Sequence, residues 1–267
     1  MLPALFRIGD FFLPTYGLLV TLGFLSGLWV AVRLGRRAGL NSDSLLNLGI
    51  YSALAGIGGA KLLLVLTDYD YYAANPREIF SLSTLQAGGI FYGGLIAALV
   101  TAVLYMRRKL LPGLATADVF APAVALGHAI GRLGCFAAGC CWGAETALPW
   151  AVTFTNPMAH QLFGTPLARP LHPTQLYEAL AEAAIFAVLY WRYARPHAPG
   201  AVIGLYLVLY SSARFAIEPL RAHDAADVRF ALLFIDQWIA LALIAVGVWL
   251  MRRKPSPGAA TPRHPAP

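Results

Sequence analysis

The sequence predicts an all-α integral membrane protein with about seven transmembrane helices. Of the 267 residues, 58% are hydrophobic and only 12% are charged, about half the charged share of a soluble domain. The mean hydropathy is +0.63, and a soluble chain would need more polar residues to cover its surface. The same composition excludes a disordered or collagen-like chain.

Seven apolar runs approach the roughly 20 residues that a membrane helix requires. In order they are Tyr16–Leu34, Leu45–Leu66, Gly89–Met106, Ala117–Ala138, Thr174–Trp191, Gly200–Glu218 and Ala231–Met251. The fourth, fifth and sixth runs carry charged residues. Together they predict a single polytopic membrane domain over 1–254, followed by a disordered cytoplasmic tail over 255–267 that is rich in Pro and Ala.

Short basic clusters predict the orientation of these runs. The first, third, fifth and seventh runs are each followed by Lys or Arg, which places those connections in the cytoplasm. The N-terminus is then outside and the C-terminus inside, which requires an odd number of spans. External loops are predicted at 67–88, 139–173 and 219–230. The net charge of +7 does not indicate nucleic-acid binding, because the basic residues lie between apolar runs.

The fourth run contains the polar residues that most strongly suggest a site. Ionisable groups inside apolar runs are costly and are functional candidates by default. His128 and Arg132 are four residues apart and share a helical face. Arg132 lies about one turn from the outer end, where its planar guanidinium would suit a lipid phosphate; an interfacial anchor is the alternative. Gly127, Gly131 and Gly134 would let another backbone or a ligand approach.

The sixth run ends in a second polar group. Arg214, Glu218 and Arg221 are spaced i, i+4, i+7, which predicts one helical stripe. Tyr210 extends that stripe, and Pro219 should kink or end the helix nearby. This pattern predicts an anion site with an orienting carboxylate; a self-contained ion-pair cluster is the alternative.

The segment HPTQLYEAL opens the fifth run. Pro173 suits a helix start, and Thr174 is expected to help cap it. Glu178 and Glu182 share a helical face, and one of them is expected to pair with an arginine from another span. The first turns of this helix also contain Gln175 and Tyr177.

Two further segments allow more than one interpretation. In AGGIFYGGL, the glycines permit close backbone approach, and Tyr92 is typical of an interfacial aromatic belt. Cys135, Cys140 and Cys141 are too few and too close for a disulfide framework. Their C-x4-C-C spacing is not a standard zinc or iron–sulfur motif, so no metal is expected. A reactive thiol stays open, and packing as small apolar residues is favoured.

Taken in this order, the segments resemble the bacterial phosphatidylglycerol–prolipoprotein diacylglyceryl transferases. The resemblance extends from about Tyr16 to Trp249, and it is specific in combination although no single piece decides it. The matching pieces are YGLLVTLGF at Tyr16, GGIFYGGL at Gly88–Leu95, ADVFAP through GRLGCFAAGCCWG at Ala117–Gly143, HPTQLYEAL at His172–Leu180, and RFAIEPLR at Arg214–Arg221.

The resemblance implies seven membrane helices with a small periplasmic head, in the bacterial cytoplasmic (inner) membrane. It implies transfer of the diacylglyceryl group of phosphatidylglycerol to the lipobox cysteine of prolipoproteins, with release of glycerol 1-phosphate. This is the first step of bacterial lipoprotein maturation. The implied partners are phosphatidylglycerol, prolipoprotein signal peptides and the lipid bilayer. No metal or organic cofactor is implied.

The resemblance also implies roles for individual residues. Arg132 matches the family arginine that binds the lipid headgroup, and Arg214 matches a second essential arginine. Glu218 and Arg221 match the rest of that motif. The remaining expected substrate-binding residues are Tyr16, Gly93, Gly94, Gly143, His172, Gln175, Tyr177, Glu178 and Tyr210.

Three positions depart from the family pattern. Tyr92 replaces a common histidine that has been considered a thiol-activating base, and Cys135 and Cys140 replace a common Asn and Glu. A tyrosine is a poor base at neutral pH, because its reference pKa is about 10. His128 is therefore the alternative catalytic base; otherwise the arginines alone lower the pKa of the substrate thiol. A paralogue with another acceptor, and a non-catalytic lipid-binding or transport protein, remain alternatives.

Overall fold

The computed structural model describes residues 1–8, 11–81, 89–223 and 229–253, and these are mostly helical. In chain order, the α-helices are α1 (Thr15–Arg37), α2 (Ser42–Thr67), α3 (Tyr69–Ala74), α4 (Phe91–Arg108), α5 (Gly113–Ala138), α6 (Pro157–Phe163), α7 (Thr174–Tyr193), α8 (Ala201–Ile217) and α9 (Ile235–Arg252). Short 3-10 turns occupy Pro76–Phe80 and Glu218–Leu220.

Each of the seven predicted runs coincides with one long helix. Five of these are long and apolar enough to cross a membrane: α1, α2, α5, α8 with its 3-10 extension, and α9. The other two carry more charge. Helix α4 ends in Arg107 and Arg108, and α7 contains Glu178, Glu182 and Arg192. The chain is therefore a multi-pass membrane protein, and the count of seven spans stays a prediction.

The chain divides into two compact units. The first unit comprises Met1–Ala38 and Ala117–Pro267, and the second unit comprises Gly39–Thr116. The predicted tail over 255–267 lies outside the described residues. The same holds for 82–88 and 224–228, which belong to two of the predicted external loops.

Among the described residues of the first unit, three short antiparallel strand pairs occur that the sequence did not predict. They are β1 (Ala4–Ile8) with β2 (Phe11–Pro14), β3 (Val152–Thr153) with β4 (Pro170–Leu171), and β5 (Arg229–Phe230) with β6 (Leu233–Phe234). An isolated antiparallel bridge also joins Gly143 to Arg221. The predicted loop at 139–173 thus contains β3, α6 and β4, and it is tied to the chain that follows α8.

Small residues bring α1 against α5. A Cβ on Gly23 would lie 2.7 Å from the carbonyl oxygen of Gly127, and a Cβ on Gly27 would lie 2.6 Å from that of Ala123. Both distances are too short for a side chain, so only glycine fits. This close approach is the usual way in which membrane helices associate, because van der Waals packing must replace the hydrophobic effect there.

Asp118 of α5 caps the start of α8. Its side chain is completely buried, and its carboxylate accepts hydrogen bonds from the backbone N–H groups of Gly200, Val202 and Ile203 at 2.6, 3.0 and 2.8 Å. The first N–H groups of a helix have no partner within the helix. One carboxylate therefore satisfies three donors and joins α5 to α8.

We predict that Asp118→Ala lowers the free energy of unfolding by more than about 2 kcal/mol, because it leaves three buried donors without an acceptor. The matched control is Asp43→Ala, which removes an exposed acidic residue in the first turn of α2 and should cost less than about 1 kcal/mol. Thermal unfolding of both variants in detergent measures the difference. Equal stability of the two variants would contradict the capping role.

Candidate active site

The buried carboxylate of Glu178 lies at the centre of the site. Arg132 of α5 forms an ion pair with it, and Nη1 of Arg221 donates to its Oε1 at 2.9 Å. The Glu178 side chain is only 4% exposed. The expectation that an α7 carboxylate pairs with an arginine from another segment is confirmed. Glu178 holds α5, α7 and the segment after α8 together.

A second carboxylate, Glu218, holds the other two charged side chains of the RFAIEPLR motif. Arg214 pairs with Glu218, and Nε of Arg221 lies 3.7 Å from Oε2 of Glu218. Nη2 of Arg214 also donates to Oδ2 of Asp236 at 2.9 Å. Sequence reasoning missed Asp236, although a carboxylate at the start of the apolar run IDQWIALAL was a usable signal.

The predicted helical stripe is wrong for Arg221. Helix α8 ends at Ile217, and Pro219 lies in a 3-10 turn at Glu218–Leu220. Arg221 follows with an extended backbone, at φ −77° and ψ 153°. The i, i+7 spacing therefore does not place Arg221 above Arg214 on a helix. Arg221 instead lies in an isolated β-bridge to Gly143, and from there its side chain reaches Glu178.

A second pair, between His128 and Glu182, lies one turn away from the Arg132–Glu178 pair on the same two helices. Nδ1 of His128 lies 2.7 Å from Oε1 of Glu182. His128 precedes Arg132 by four residues and Glu182 follows Glu178 by four, as expected for two facing antiparallel helices. The ring of Tyr210 lies 5.6 Å from that of His128. His128 is therefore held between a carboxylate and an aromatic ring.

A small, open cleft lies beside these pairs. Its polar lining comes from Glu178, Glu182, Tyr210 and Arg214, and its apolar lining from Ala181, Ile185, Ala213 and Ile217. Charged, aromatic and aliphatic side chains of α7 and α8 thus meet at this cleft.

The start of α7 holds the loop that follows α5. Nε2 of Gln175 donates to the carbonyl oxygen of Cys140 at 2.7 Å, and the hydroxyl of Thr174 donates to that of Cys141 at 2.9 Å. The N-cap of α7 is Pro173. The expectation that Thr174 caps this helix is therefore wrong, because its hydroxyl is used by the neighbouring loop.

His172 and Tyr177 form a separate polar group at this end of α7. The hydroxyl of Tyr177 lies 3.2 Å from Nδ1 of His172 and accepts from Nε1 of Trp150 at 2.8 Å. The carbonyl oxygen of His172 accepts from the backbone N–H of Gly143 at 2.9 Å. These residues shape the loop at 139–173.

The structure brings the three cysteines together. Their Sγ atoms all lie within 4.8 Å of one another, and all three are reduced. Nη1 of Arg132 lies 4.0 Å from Sγ of Cys135. Hydrogen bonds from the thiols of Cys135 and Cys140 lower the pKa of the Cys141 thiol below its ordinary value.

The model of one protein family, described as prolipoprotein diacylglyceryl transferase, matches residues 3–253. The chain belongs to this family. It is 34% identical to the phosphatidylglycerol–prolipoprotein diacylglyceryl transferase of Clostridium tetani (strain Massachusetts / E88), over 94% of this chain and 96% of the relative. It is 36% identical to that of Nitratidesulfovibrio vulgaris (strain DSM 19637 / Miyazaki F), over 94% and 93%. The resemblance drawn from the motifs is confirmed.

The other residues that the family resemblance singled out lie on α1 and α4. In the first unit, the ring of Tyr16 packs over Gly134, where an added Cβ would lie 3.3 Å from its Cδ2 atom. In the second unit, Gly93 brings α4 against α2, because a Cβ there would lie 2.5 Å from the carbonyl oxygen of Gly59. Tyr92 is 51% exposed.

Gly94 also packs against α2: a Cβ on it would lie 2.8 Å from the carbonyl oxygen of Gly56. Both glycines of this pair therefore have a packing role within their unit. Their role in substrate binding stays a prediction.

We predict that Gly143→Ala destabilises the loop that joins α5 to α7. The new Cβ would lie 2.5 Å from both His172 Cβ and the Leu220 carbonyl oxygen, and such overpacking costs about 1–3 kcal/mol. The control is Gly58→Ala on α2, where nothing lies within 4 Å. Thermal unfolding should show a loss for Gly143→Ala and none for Gly58→Ala. An unchanged midpoint for Gly143→Ala would argue against the tight contact.

Proposed function

We propose that this protein transfers the diacylglyceryl group of phosphatidylglycerol to the lipobox cysteine of prolipoproteins, with release of glycerol 1-phosphate. The observation that carries the proposal is the cluster of three arginines, Arg132, Arg214 and Arg221, held by buried carboxylates beside a partly apolar cleft. Membership of the transferase family supports the same reaction.

The reaction requires a site that stabilises a departing phosphate. The substrate thiolate attacks the glyceryl carbon, a carbon–sulfur bond forms, and the bond from that carbon to the phosphate oxygen breaks. The bonding electron pair leaves with the phosphate. Guanidinium donors fixed in advance stabilise this charge more strongly than mobile water does. Planar guanidinium groups also match a phosphate with two parallel hydrogen bonds.

The carboxylates in the cluster orient the arginines and do not occupy all their donors. A guanidinium has five N–H groups. Among the residues that the structure describes, Nε of Arg132 is buried and makes no hydrogen bond. Arg132 therefore retains a donor for an anion while Glu178 fixes its position. In this proposal Arg132 binds the lipid headgroup, and Arg214 stabilises the leaving phosphate.

His128 is the proposed base for the substrate thiol. With Nδ1 directed at Glu182, its second ring nitrogen is available to accept a proton, and the carboxylate stabilises the imidazolium that forms. Tyr92 occupies the position of the usual family histidine, and its neutral phenol is a weaker base. We propose that Tyr92, Gly93 and Gly94 contact substrate, whereas His128 removes the proton.

The proposed topology completes the assignment. Helices α4 and α7 join the five apolar helices to make seven spans, with the N-terminus outside and the C-terminus in the cytoplasm. The loop at 139–173, which includes α6 and the β3–β4 pair, then forms the small periplasmic head of an inner-membrane enzyme. Gly143, His172, Gln175 and Tyr177 lie at its base.

We predict that Arg132→Ala and Arg214→Ala each reduce transfer by about 100- to 1,000-fold, the usual loss when one anion-stabilising donor is removed. Lysine should rescue neither position well, since it lacks the planar fork. The assay uses labelled phosphatidylglycerol and a lipobox peptide with membranes that contain each variant.

The control is Arg169→Ala. The Arg169 side chain is 64% exposed and pairs with Glu145 at the surface, so transfer should change by less than about twofold. Near-normal turnover in Arg132→Ala or Arg214→Ala would rule out the assignment of these arginines to the phosphate.

We predict that Glu218→Gln lowers kcat by about 10-fold or more with a smaller change in KM, because Glu218 acts by positioning Arg214, and such supporting contacts are worth about 10- to 100-fold. Glu145→Gln changes an exposed acid and serves as the control. If Glu218→Gln retains the wild-type kcat, the carboxylate has only a structural role.

The three departures from the family pattern favour one second candidate, a paralogue that uses another acceptor. Cys135 and Cys140 alter the surroundings of the retained arginine pairs, and Tyr92 takes the position of the usual family histidine. The transfer assay separates the two proposals. Thioether-linked diacylglyceryl peptide supports the prolipoprotein acceptor, and bound phosphatidylglycerol without that product supports the paralogue.

A further inference from the structure

The cysteine cluster is a chemically distinctive group, within the part of the chain that the structure describes, that the proposed reaction does not use. The chain has three cysteines in all, and their Sγ atoms lie within 4.8 Å of one another. Cys135 is buried in the last turns of α5, and Cys140 and Cys141 are half-buried in the following loop. The spacing of the cysteines in the sequence favoured a role as separate small packing residues. Such packing does not require that the three thiols converge on one point.

The backbone holds this convergence in place. The N–H groups of Gly139 and Cys140 both donate to the carbonyl oxygen of Cys135, at 2.9 and 3.1 Å. Gly139 and Cys141 both have left-handed backbones, with φ of +85° and +60°. That conformation is unfavourable for a residue with a side chain, so surrounding contacts must maintain it at Cys141. It turns the chain back so that all three thiols face one another.

Contacts from α7 fix the same loop from outside. Gln175 donates to the carbonyl oxygen of Cys140, and Thr174 donates to that of Cys141. Both donors are completely buried residues. In metal sites, neighbouring groups that orient the ligands in this way raise affinity by about 10- to 100-fold. These two hydrogen bonds orient the loop that carries Cys140 and Cys141.

We propose that Cys135, Cys140 and Cys141 form a binding site for one thiophilic d10 metal ion, of the class of Zn²⁺, Cd²⁺ and Cu⁺. Soft thiolates select such ions over hard cations. A Zn–S bond of about 2.3 Å requires sulfur atoms about 3.8 Å apart in tetrahedral geometry. The Sγ atoms, all within 4.8 Å of one another, are already close to that separation.

The charges around the cluster are consistent with this assignment. Binding converts three S–H bonds into three S–metal bonds and releases three protons to solvent. Three thiolates and one divalent ion leave a net charge of −1, and the guanidinium of Arg132, which also pairs with Glu178, lies 4.0 Å from Cys135 Sγ. Cys140 and Cys141 are only half-buried, and in this proposal an ion enters from their side with water as its fourth ligand.

The test measures binding directly and does not depend on transferase activity. Protein purified in detergent under reducing conditions is freed of metal and reductant without oxygen, then titrated with Cd²⁺ alone. We expect one Cd²⁺ per chain, with the ultraviolet charge-transfer band of a cadmium–thiolate bond. Mg²⁺ in excess should not displace it.

Serine variants show which cysteines bind the metal ion. The triple change Cys135→Ser, Cys140→Ser and Cys141→Ser should abolish the band, and Cys140→Ser alone should weaken binding at least about 10-fold. The single variant keeps the test valid if the triple variant does not fold. Absence of a thiolate band in the wild type, or binding that Cys140→Ser leaves unchanged, would overturn the proposal. So would a disulfide between two of these cysteines in protein purified without reductant, because it removes two ligands.

Discussion

The buried charge of Glu178 is the constraint on which the rest of the first unit depends. Removing an ionised carboxylate from water costs several kcal/mol unless cations and hydrogen bonds compensate it. The fold must therefore bring a guanidinium to Glu178 in a largely apolar region. It brings two: Arg132 on α5 and Arg221 after α8. Segments that are distant in the sequence are fixed to one another by this single requirement.

The same contacts that satisfy Glu178 also prepare the site for chemistry. Helices α5 and α7 face each other in two successive pairs, Arg132 with Glu178 and His128 with Glu182. In each pair, the carboxylate restricts the side chain that it contacts. The guanidinium of Arg132 and the imidazole of His128 are therefore oriented before any substrate arrives. Preorganised groups of this kind avoid the cost of rearrangement during the reaction. Stability and the proposed catalysis therefore depend on the same residues.

Two of the three departures from the family pattern, Cys135 and Cys140, lie at the C-terminal end of α5 and just after it. Cys135 and Cys140 take positions that are commonly polar in the family, and the structure directs both toward Cys141. Thiols are weak hydrogen-bonding groups but strong ligands for soft metals. The change thus preserves the arginine–carboxylate pairs while it gives their immediate surroundings a different chemistry.

The sequence by itself determined where the long helices lie, because an apolar run of helical length is a local property of the chain. It also determined the family. It placed His128 and Arg132 on one helical face, because residues four apart lie one turn apart within a helix. It could not determine which carboxylate each arginine takes. That pairing depends on distances between segments. In the tertiary structure, Asp236 joins the cluster and Arg221 lies off its expected helical stripe.

The convergence of the three thiols and the two-residue strands were likewise decided only by the tertiary structure. Neither has a repeating pattern that a sequence can display. The thiols meet because left-handed turns at Gly139 and Cys141 reverse the chain, and because hydrogen bonds from Thr174 and Gln175 hold that reversal. Local spacing predicts what one helix does, whereas these contacts arise from several segments whose buried polar groups must all be satisfied together.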